Sequence, residues 1–359
     1  MTPLRIGIIG CGKIAQVRHI PEYAANPNAQ LVGFFDLSKD RATQVAAPFG
    51  GRVFDSYQDL LADPDIDAVS VCTANVTHAE IVIAALKAGK HVLAEKPMAA
   101  TLEECEHIAS VAAASNKLLM FDHNQRFTKA HRMAAEMVAS GVIGPLVSFR
   151  TTFGHGGPET WSVDPGPNTW FFNPAMTTMG AIGDLGVHKT DVVHFLTGER
   201  VVEVTAKLAT LEKRDTSGNL VPVDDHAIAV YTLSNGAVGT MTASWCFHGA
   251  EDNSTVLFGR DGILRIYDDP DYQLIIDKPG QSPEKHSVEP MQTSDLPQAS
   301  SGVIDAFVDA VLNGLPSPMP ADEALAAMRA VFAAMESSRT GQSVAIPENA
   351  SRGNASSTR

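Results

Sequence analysis

The sequence predicts an α/β protein in two parts: a doubly wound parallel sheet, followed by an α+β region with an open, mainly antiparallel sheet. Three observations support this prediction. Short apolar runs alternate with amphipathic helical stretches over the first third of the chain. Strand-like runs separated by turn signals dominate from Val201 to about Ile276. Finally, 359 residues are more than one ordinary core needs and suit two domains.

The first part consists of strands and helices in alternation. Its predicted strands are continuous apolar runs, which are typical of strands buried on both faces of a sheet. The alternation predicts right-handed crossovers with helices on both faces, and we place this domain at residues 1–122. The predicted strands are Leu4–Ile9, Gln30–Asp36, Ala68–Cys72, His91–Ala94 and Leu118–Phe121. The predicted helices are Ile14–Ala25, Asp40–Phe49, His78–Ala88 and Leu102–Ala114.

The pattern changes near residue 122, and we place a second domain at 123–348. Turn signals at Ser217–Asn219, Ser234–Gly236 and Arg260–Gly262 divide its strands. Gln281–Ser301 is polar and is predicted to be a surface excursion, and 349–359 is predicted to be a flexible tail. The other predicted elements are a helix Thr128–Ser140, an extended run Leu146–Phe153, a loop Gly154–Pro174 and helices Ala181–Leu196, Gly302–Leu312 and Ala321–Arg339.

Composition excludes some classes of partner. A net charge of −14 opposes binding to nucleic acid or to an anionic membrane surface, because both would repel the protein. No run of about 18 apolar residues predicts a membrane span. The four cysteines are far apart in sequence and are interpreted as reduced thiols. We therefore expect a cytoplasmic protein that acts on a small molecule.

A glycine-rich turn follows the first predicted strand. In Gly10-Cys11-Gly12-Lys13-Ile14-Ala15, the first glycine allows a tight turn and the second allows a pyrophosphate to approach the backbone. The small residue Ala15 permits close packing of helix on strand. In this context the turn predicts a Rossmann dinucleotide site that includes Gly10, Gly12, Lys13 and Ile14.

Asp36 ends the second predicted strand, about 20 residues further on, where a carboxylate would accept hydrogen bonds from the adenosine ribose. Since a carboxylate repels a 2′-phosphate, NAD is favoured over NADP. The alternative is that Asp36 only caps the following helix. Lys39 and Arg41 lie nearby and would soften the discrimination.

Three further motifs indicate which family of dinucleotide-binding proteins the sequence resembles. Thr73-Ala74-Asn75 precedes His78, Glu95-Lys96-Pro97 follows the strand His91–Ala94, and Gly183–His188 opens a helix in the second domain. With the glycine turn, they resemble the Gfo/Idh/MocA oxidoreductases from about residue 4 to residue 345. Ala74 departs from the proline that is usual there. The resemblance implies a homo-oligomer, and it implies cofactor contacts at Thr73, Asn75, His78, Glu95 and Lys96.

Oxidation of a secondary alcohol needs a hydride acceptor, a base for the hydroxyl proton and a donor beside the developing oxyanion. The resemblance places Lys96 at the reacting hydroxyl, and we expect it to stabilise the alkoxide. His188 is expected to be the general base, and Asp184 at i, i+4 is expected to orient His188 or a neighbouring hydroxyl. Without the resemblance, such a pair is more often a helix-surface contact. His188, Asp191 and His194 have metal-like spacing, but they lack a clear fourth ligand, so no metal is predicted.

Polar and aromatic residues of the second domain are candidates for binding the substrate. Amide, imidazole and indole groups suit the hydroxyls and C–H faces of a sugar or cyclitol. Because these loops contain no cluster of Arg and Lys, a neutral substrate is favoured over a phosphorylated one. Ala175 stands where the family often has a long polar residue, which is expected to open the pocket or weaken binding. The candidates are His123, Asn124, Arg126, His155, Trp161 and Trp170.

We therefore predict an NAD-dependent oxidoreductase that interconverts a secondary alcohol of a neutral polyol, such as an inositol, with its ketone. The alternative is a dehydrogenase or 3-keto reductase of sugars, and one enzyme can accept both kinds of ring. A non-catalytic NAD-binding sensor is disfavoured, because Lys96, Asp184 and His188 are all present.

Overall fold

The computed structural model describes residues 2–289 and 300–347, so the expected tail 349–359 lies outside the described residues. A six-stranded sheet and a nine-stranded sheet form two layers of the molecule. The predicted fold class is confirmed. All four cysteines are unpaired, and three of them are buried. None of the helices in the described ranges is both long and apolar enough to cross a membrane.

The first sheet is parallel throughout, in the order β3-β2-β1-β4-β5-β6. Strand order reverses between β1 and β4, which is where doubly wound sheets bind ligands beyond the strand ends. The two-residue β3 is too short to leave a recognisable pattern in the sequence. The strands are β1 (Leu4–Ile9), β2 (Ala29–Phe35), β3 (Arg52–Val53), β4 (Ala68–Val71), β5 (His91–Ala94) and β6 (Leu119–Phe121).

Three of the five helices that pack with this sheet begin at capping side chains. Ser38, Ser56 and Thr101 each accept a hydrogen bond from a backbone N–H in the first turn of the helix that follows. Thr101 and Glu104 form a reciprocal capping box, which explains why α5 has its predicted bounds. The helices are α1 (Ile20–Ala25), α2 (Lys39–Ala46), α3 (Tyr57–Ala62), α4 (His78–Lys87) and α5 (Leu102–Ala114).

The second sheet is mixed but mainly antiparallel. Among its described strands, only β7 and β10 pair in parallel. The β9–β10 hairpin turns at Gly236, whose φ of 86° belongs to the left-handed region. Strand β14 lies in the predicted surface excursion, of which 290–299 is outside the described residues. The strands are β7 (Leu146–Gly154), β8 (Val201–Ala209), β9 (His226–Leu233), β10 (Val238–Ser244), β11 (Thr255–Gly259), β12 (Ile263–Ile266), β13 (Leu274–Asp277), β14 (Glu284–His286) and β15 (Val344–Ala345).

Helices cover one face of the second sheet and leave the other face open. The remaining helices are α6 (Lys129–Ala139), α7 (Pro174–Thr177), α8 (Val187–Thr197), α9 (Val303–Asn313) and α10 (Ala321–Thr340). The N-terminus of α8 is continuous with a π-helical turn, Ile182–Gly186. Helix α10 packs on β8 and also on α5, where Arg329 pairs with Glu106. The proposed division at residue 122 therefore gives the second domain a helix that also contacts the first.

Candidate active site

One cavity lies between the glycine turn, the carboxyl ends of the parallel strands and the second domain. Most of the residues predicted from the sequence line it, but His78, His123 and Arg126 do not. The predicted lining residues from the first domain are Gly10, Gly12, Lys13, Ile14, Asp36, Thr73, Asn75, Glu95 and Lys96. Those from the second domain are Asn124, His155, Trp161, Trp170, Asp184 and His188.

The glycine turn leaves its backbone open toward this cavity. Gly10 has a φ of 92°, and a Cβ atom there would lie 2.5 Å from the carbonyl oxygen of Cys72. A Cβ atom on Gly12 would meet nothing within 4 Å, so the absence of a side chain leaves room for a ligand. A π-helical turn, Ala15–His19, follows and leads into α1, and its start presents backbone N–H groups and a positive dipole end to that space. This arrangement fits the pyrophosphate of a dinucleotide.

Asp36 lies directly after β2, at the edge of the cavity. Its carboxylate accepts hydrogen bonds from the backbone N–H groups of Cys11 and Ser38, both at 2.8 Å. Ser38, rather than Asp36, is the N-cap of α2. Arg41 lies 3.4 Å from Asp36 and 3.0 Å from Asp164 of the second domain. The carboxylate is therefore positioned for ribose hydroxyls, and Arg41 is already paired with two carboxylates.

Lys96, immediately after β5, points across the domain boundary. Its Nζ donates to the carboxylate of Asp184 at 2.7 Å and to the main-chain carbonyl of the same residue at 3.1 Å. The other carboxylate oxygen of Asp184 accepts a hydrogen bond from Nε1 of Trp245 at 3.1 Å. Asp184 thus holds Lys96, whereas the sequence analysis expected it to orient His188 or a neighbouring hydroxyl.

The surroundings fix the charges of this pair. Burial disfavours the charged form of Lys96, but Asp184 and Glu95 outweigh burial and raise the pKa of the lysine. For Asp184, burial is outweighed by Lys96 and His155, which lower the pKa of the carboxyl. At neutral pH the site therefore holds an ammonium beside a carboxylate.

His188 lies one helical turn beyond Asp184 and is 7% exposed. Burial, with Lys96 and His123 nearby, lowers its pKa well below 6.5, so the imidazole is neutral at pH 7. Its Nδ1 is buried and has no hydrogen-bond partner within residues 2–289 and 300–347. The ring packs edge-on against His123 and is tilted against Phe153. A neutral imidazole beside a charged lysine can accept a proton.

A second, buried polar network consists of His19, Glu95 and Asp122. The Nε2 atom of His19 is 3.0 Å from Glu95 and 3.4 Å from Asp122. Burial disfavours the charged form of His19, but Cys72, Asp122 and Glu95 outweigh it and raise the pKa of the ring well above 6.5. Burial and Glu95 raise the pKa of Asp122. These three side chains lie close enough together to hold a metal ion, so the absence of a metal from this protein stays a prediction.

His78 and Arg126 do not occupy the positions predicted for them. The ring of His78 is hydrogen-bonded to the main-chain carbonyls of Pro97, at 2.8 Å, and Thr73, at 3.0 Å. It therefore connects the loop after β4 to the loop after β5. Arg126 makes a two-pronged contact with Asp191 and reaches Glu323 on α10. Because this buried guanidinium is bonded to two carboxylates and does not line the cavity, it joins α8 to α10 instead of contacting a substrate.

Aromatic side chains, which together form an aromatic wall, and amide side chains both line the cavity. Trp161 packs edge-on against Phe171 and His155, with ring centroids 5.1 and 6.0 Å apart. His155 accepts a hydrogen bond at Nδ1 from the backbone N–H of Gly157, so a neutral ring carries its proton on Nε2. The Oδ1 atom of Asn124 is buried and has no partner in the described chain.

Ala175 lies on the exposed side of α7 and does not line the cavity. Its neighbours Met176 and Thr177 do, and Thr177 accepts hydrogen bonds from Asn75 of the first domain. The expected effect of Ala175 on substrate binding therefore remains a prediction without a direct contact to support it.

Sequence reasoning missed several residues that line the cavity, and it also missed Trp245, which does not line the cavity but bonds to Asp184. Trp245 leaves no local signal, because it meets Asp184 only after the second sheet folds. Arg18 follows the glycine turn by one helical turn, a spacing that could have suggested a cavity-facing residue. The other missed lining residues include Asp122, Gln125, Phe153, Phe171, Glu251 and Asn253.

Two family models match the chain. The model described as the oxidoreductase family with an NAD-binding Rossmann fold matches residues 4–123, and the C-terminal domain model of the same family matches residues 131–265. The chain belongs to the Gfo/Idh/MocA family. The resemblance stated from the motifs is confirmed, and membership makes this protein an NAD-dependent oxidoreductase that acts on sugars or polyols.

Curated relatives in this family act on different rings. Levoglucosan dehydrogenase of Pseudarthrobacter phenanthrenivorans is 32% identical over 74% of this chain and 73% of its own length. Inositol 2-dehydrogenase 3 of Saccharopolyspora erythraea is 29% identical over 96% of this chain and 95% of its own length. A levoglucosan dehydrogenase structure with NADH and levoglucosan has a TM-score of 0.85 at 26% identity, covering 97% of this chain and 100% of that one.

Proposed function

We propose that the protein oxidises a secondary ring hydroxyl of a neutral cyclic polyol, such as an inositol, to the ketone, and that it catalyses the reverse reduction. The observation that carries this proposal is the arrangement of Lys96, Asp184 and His188 at one cavity that also includes the glycine turn. NAD, when bound, supplies the hydride acceptor.

Each side chain has a separate task in this proposal. The neutral imidazole of His188 takes the hydroxyl proton, and the ammonium of Lys96 stabilises the alkoxide that forms. Asp184 keeps Lys96 charged and aimed, and the indole N–H of Trp245 fixes the carboxylate of Asp184. In the reverse direction, the imidazolium of His188 returns the proton to the oxygen.

A sugar is the second candidate substrate, and the aromatic wall favours it. Trp161, Trp170 and Phe171 can cover the C–H face of a pyranose or an anhydrosugar. The relative named levoglucosan dehydrogenase supports this alternative, while the inositol dehydrogenases support the first. A cytoplasmic location and a homo-oligomeric state also remain proposals, the first supported by the unpaired cysteines.

A substrate panel tests the proposal. Purified enzyme with NAD should form NADH with at least one of a set of inositols, levoglucosan, aldoses and methyl glucosides, and the ketone or lactone product identifies the oxidised carbon. NADP should serve poorly, because Asp36 repels its 2′-phosphate. Tight NADH binding without turnover of any compound in the panel would contradict the proposal and favour a sensor.

A further inference from the structure

Lys189 is a fully buried lysine that directly follows His188 on α8. Its Nζ donates to the main-chain carbonyl of Asn253 at 3.0 Å and to Oε1 of Gln125 at 3.4 Å. Both Asn253 and Gln125 line the cavity. Burying an amine costs free energy unless its hydrogen bonds are satisfied. If this residue only filled space, an apolar side chain would therefore stabilise the fold more than a lysine does.

Lys189 has both acidic residues and histidines around its ammonium group. No carboxylate within the described ranges forms an ion pair with its Nζ, but Glu251 and Asp252 act on it from the segment before β11. The other titratable groups that face it are His131 on α6 and His188 on its own helix. Burial outweighs the acidic neighbours and lowers the pKa of Lys189 to about 7.

Lys189 connects three segments of the chain, and each of them contributes a residue to the lining of the cavity. Gln125 belongs to the short turn Asn124–Phe127, which also carries the unpartnered Oδ1 atom of Asn124. The segment with Asn253 is tied to β7 on its other side, where Asp252 and Gly154 exchange backbone hydrogen bonds at 2.8 and 3.0 Å. The ammonium of Lys189 ties this segment to α8 through the main-chain carbonyl of Asn253.

We propose that Lys189 is a positioning residue that sets substrate affinity by holding Gln125 and Asn253 at the cavity wall. This inference rests on the proposed function, since it concerns the same substrate site. The wall so positioned combines amides with the carboxylate of Glu251. Amides and a carboxylate bind neutral hydroxyls, and the carboxylate repels phosphorylated or acidic sugars.

Lys189→Met is the informative variant, because methionine has a similar length but neither charge nor donor. The KM for the polyol or sugar should rise about tenfold, which corresponds to the loss of one charged hydrogen bond, while kcat changes less than about twofold. The Kd for NADH should not change. Lys87→Met is the matched control, since Lys87 is exposed in the last turn of α4.

The pH dependence separates positioning from simple packing. In the wild type, KM should rise as the pH increases through about 7, because Lys189 then loses the charge that strengthens its bonds to Asn253 and Gln125. In Lys189→Met, the KM should be high and independent of pH over that range. An unchanged KM, or a parallel loss of kcat and NADH affinity, would overturn the proposal.

A second measurement does not depend on turnover. Amide hydrogen exchange in residues 251–255 of the NADH-bound protein should be about tenfold faster in Lys189→Met than in the wild type, because this segment loses one anchor. Unchanged exchange would overturn the role of Lys189 even if the enzyme is active. If the wild type turns over no compound in the panel but exchange accelerates in the variant, the proposed function fails and the positioning role stands.

Discussion

At the residue scale, the site keeps three ionisable groups in different charge states within one buried region. Lys96 is charged and Asp184 is charged, whereas His188 is neutral. The sequence predicted these three residues because motif and residue type are local properties. It did not predict that Asp184 pairs with Lys96 and Trp245, because neither partner is near Asp184 in the chain and the contacts depend on the packing of both domains.

A pH–rate experiment tests the assignment of the base. Since the folded protein depresses the pKa of His188, the kcat for oxidation should be constant near neutral pH and should decline only as the pH falls below 6.5 toward the pKa of the ring. His188→Ala should lower kcat by about 100-fold or more and abolish this acidic decline. His107→Ala, on the exposed side of α5, serves as the control. Near wild-type turnover in His188→Ala would disprove the assignment.

At the scale of elements, the start of the helical segment that carries Asp184 and His188 is held by a carboxylate from another part of the chain. Asp224, between β8 and β9, accepts hydrogen bonds from the backbone N–H groups of Gly180 and Ile182 at 2.9 and 2.8 Å. A Cβ atom on Gly180 would lie 1.8 Å from the carbonyl oxygen of Asp224, so glycine is required for this approach. The sequence predicted the helix from its apolar pattern but not this cap, which follows the helix in the chain and joins it only in the folded sheet.

Removal of this cap should lower kcat by more than the accompanying loss of unfolding free energy would explain. Asp224→Ala should cost about 1–2 kcal/mol of unfolding free energy and should lower kcat at least about tenfold, because the turn that carries Asp184 loses its anchor. Asp215→Ala is a matched control, since Asp215 also accepts two backbone N–H groups, those of Ser217 and Asn219, but at a surface turn. Thermal unfolding and steady-state kinetics of both variants measure the effect. Equal kcat values in the two variants would argue against it.

At the scale of the whole molecule, the predictions succeeded where a pattern extends over many residues. The parallel sheet and the open antiparallel sheet were both predicted, because strand periodicity and turn residues recur along each domain. The position of both domains at one cavity was predicted only in outline, from where the parallel strands end.

The open face of the second sheet shows Ile228, Val230 and Val238 in neighbouring strands, each more than 40% exposed.

This exposed apolar face supports the proposed homo-oligomer, because covering it with a second copy would remove it from water. Sedimentation velocity should find the wild type larger than a monomer. Val230→Glu should shift it toward the monomer, since a charge at a buried interface is costly. Leu315→Glu is the control, because Leu315 is similarly exposed but lies after α9. A monomeric wild type would exclude this use of the face.

The π-helical turn Ile182–Gly186 has a consequence for how this enzyme can change by insertion or deletion. A π turn closes its hydrogen bonds over one residue more than an α turn does. Successive residues in an α-helix are about 100° apart around the axis, so loss of one residue here would turn Asp184 away from Lys96 without altering any side chain. The catalytic geometry thus depends on the number of residues before His188 as much as on their identity. Point substitutions can adjust this site gradually, whereas a single-codon deletion would change its register in one step.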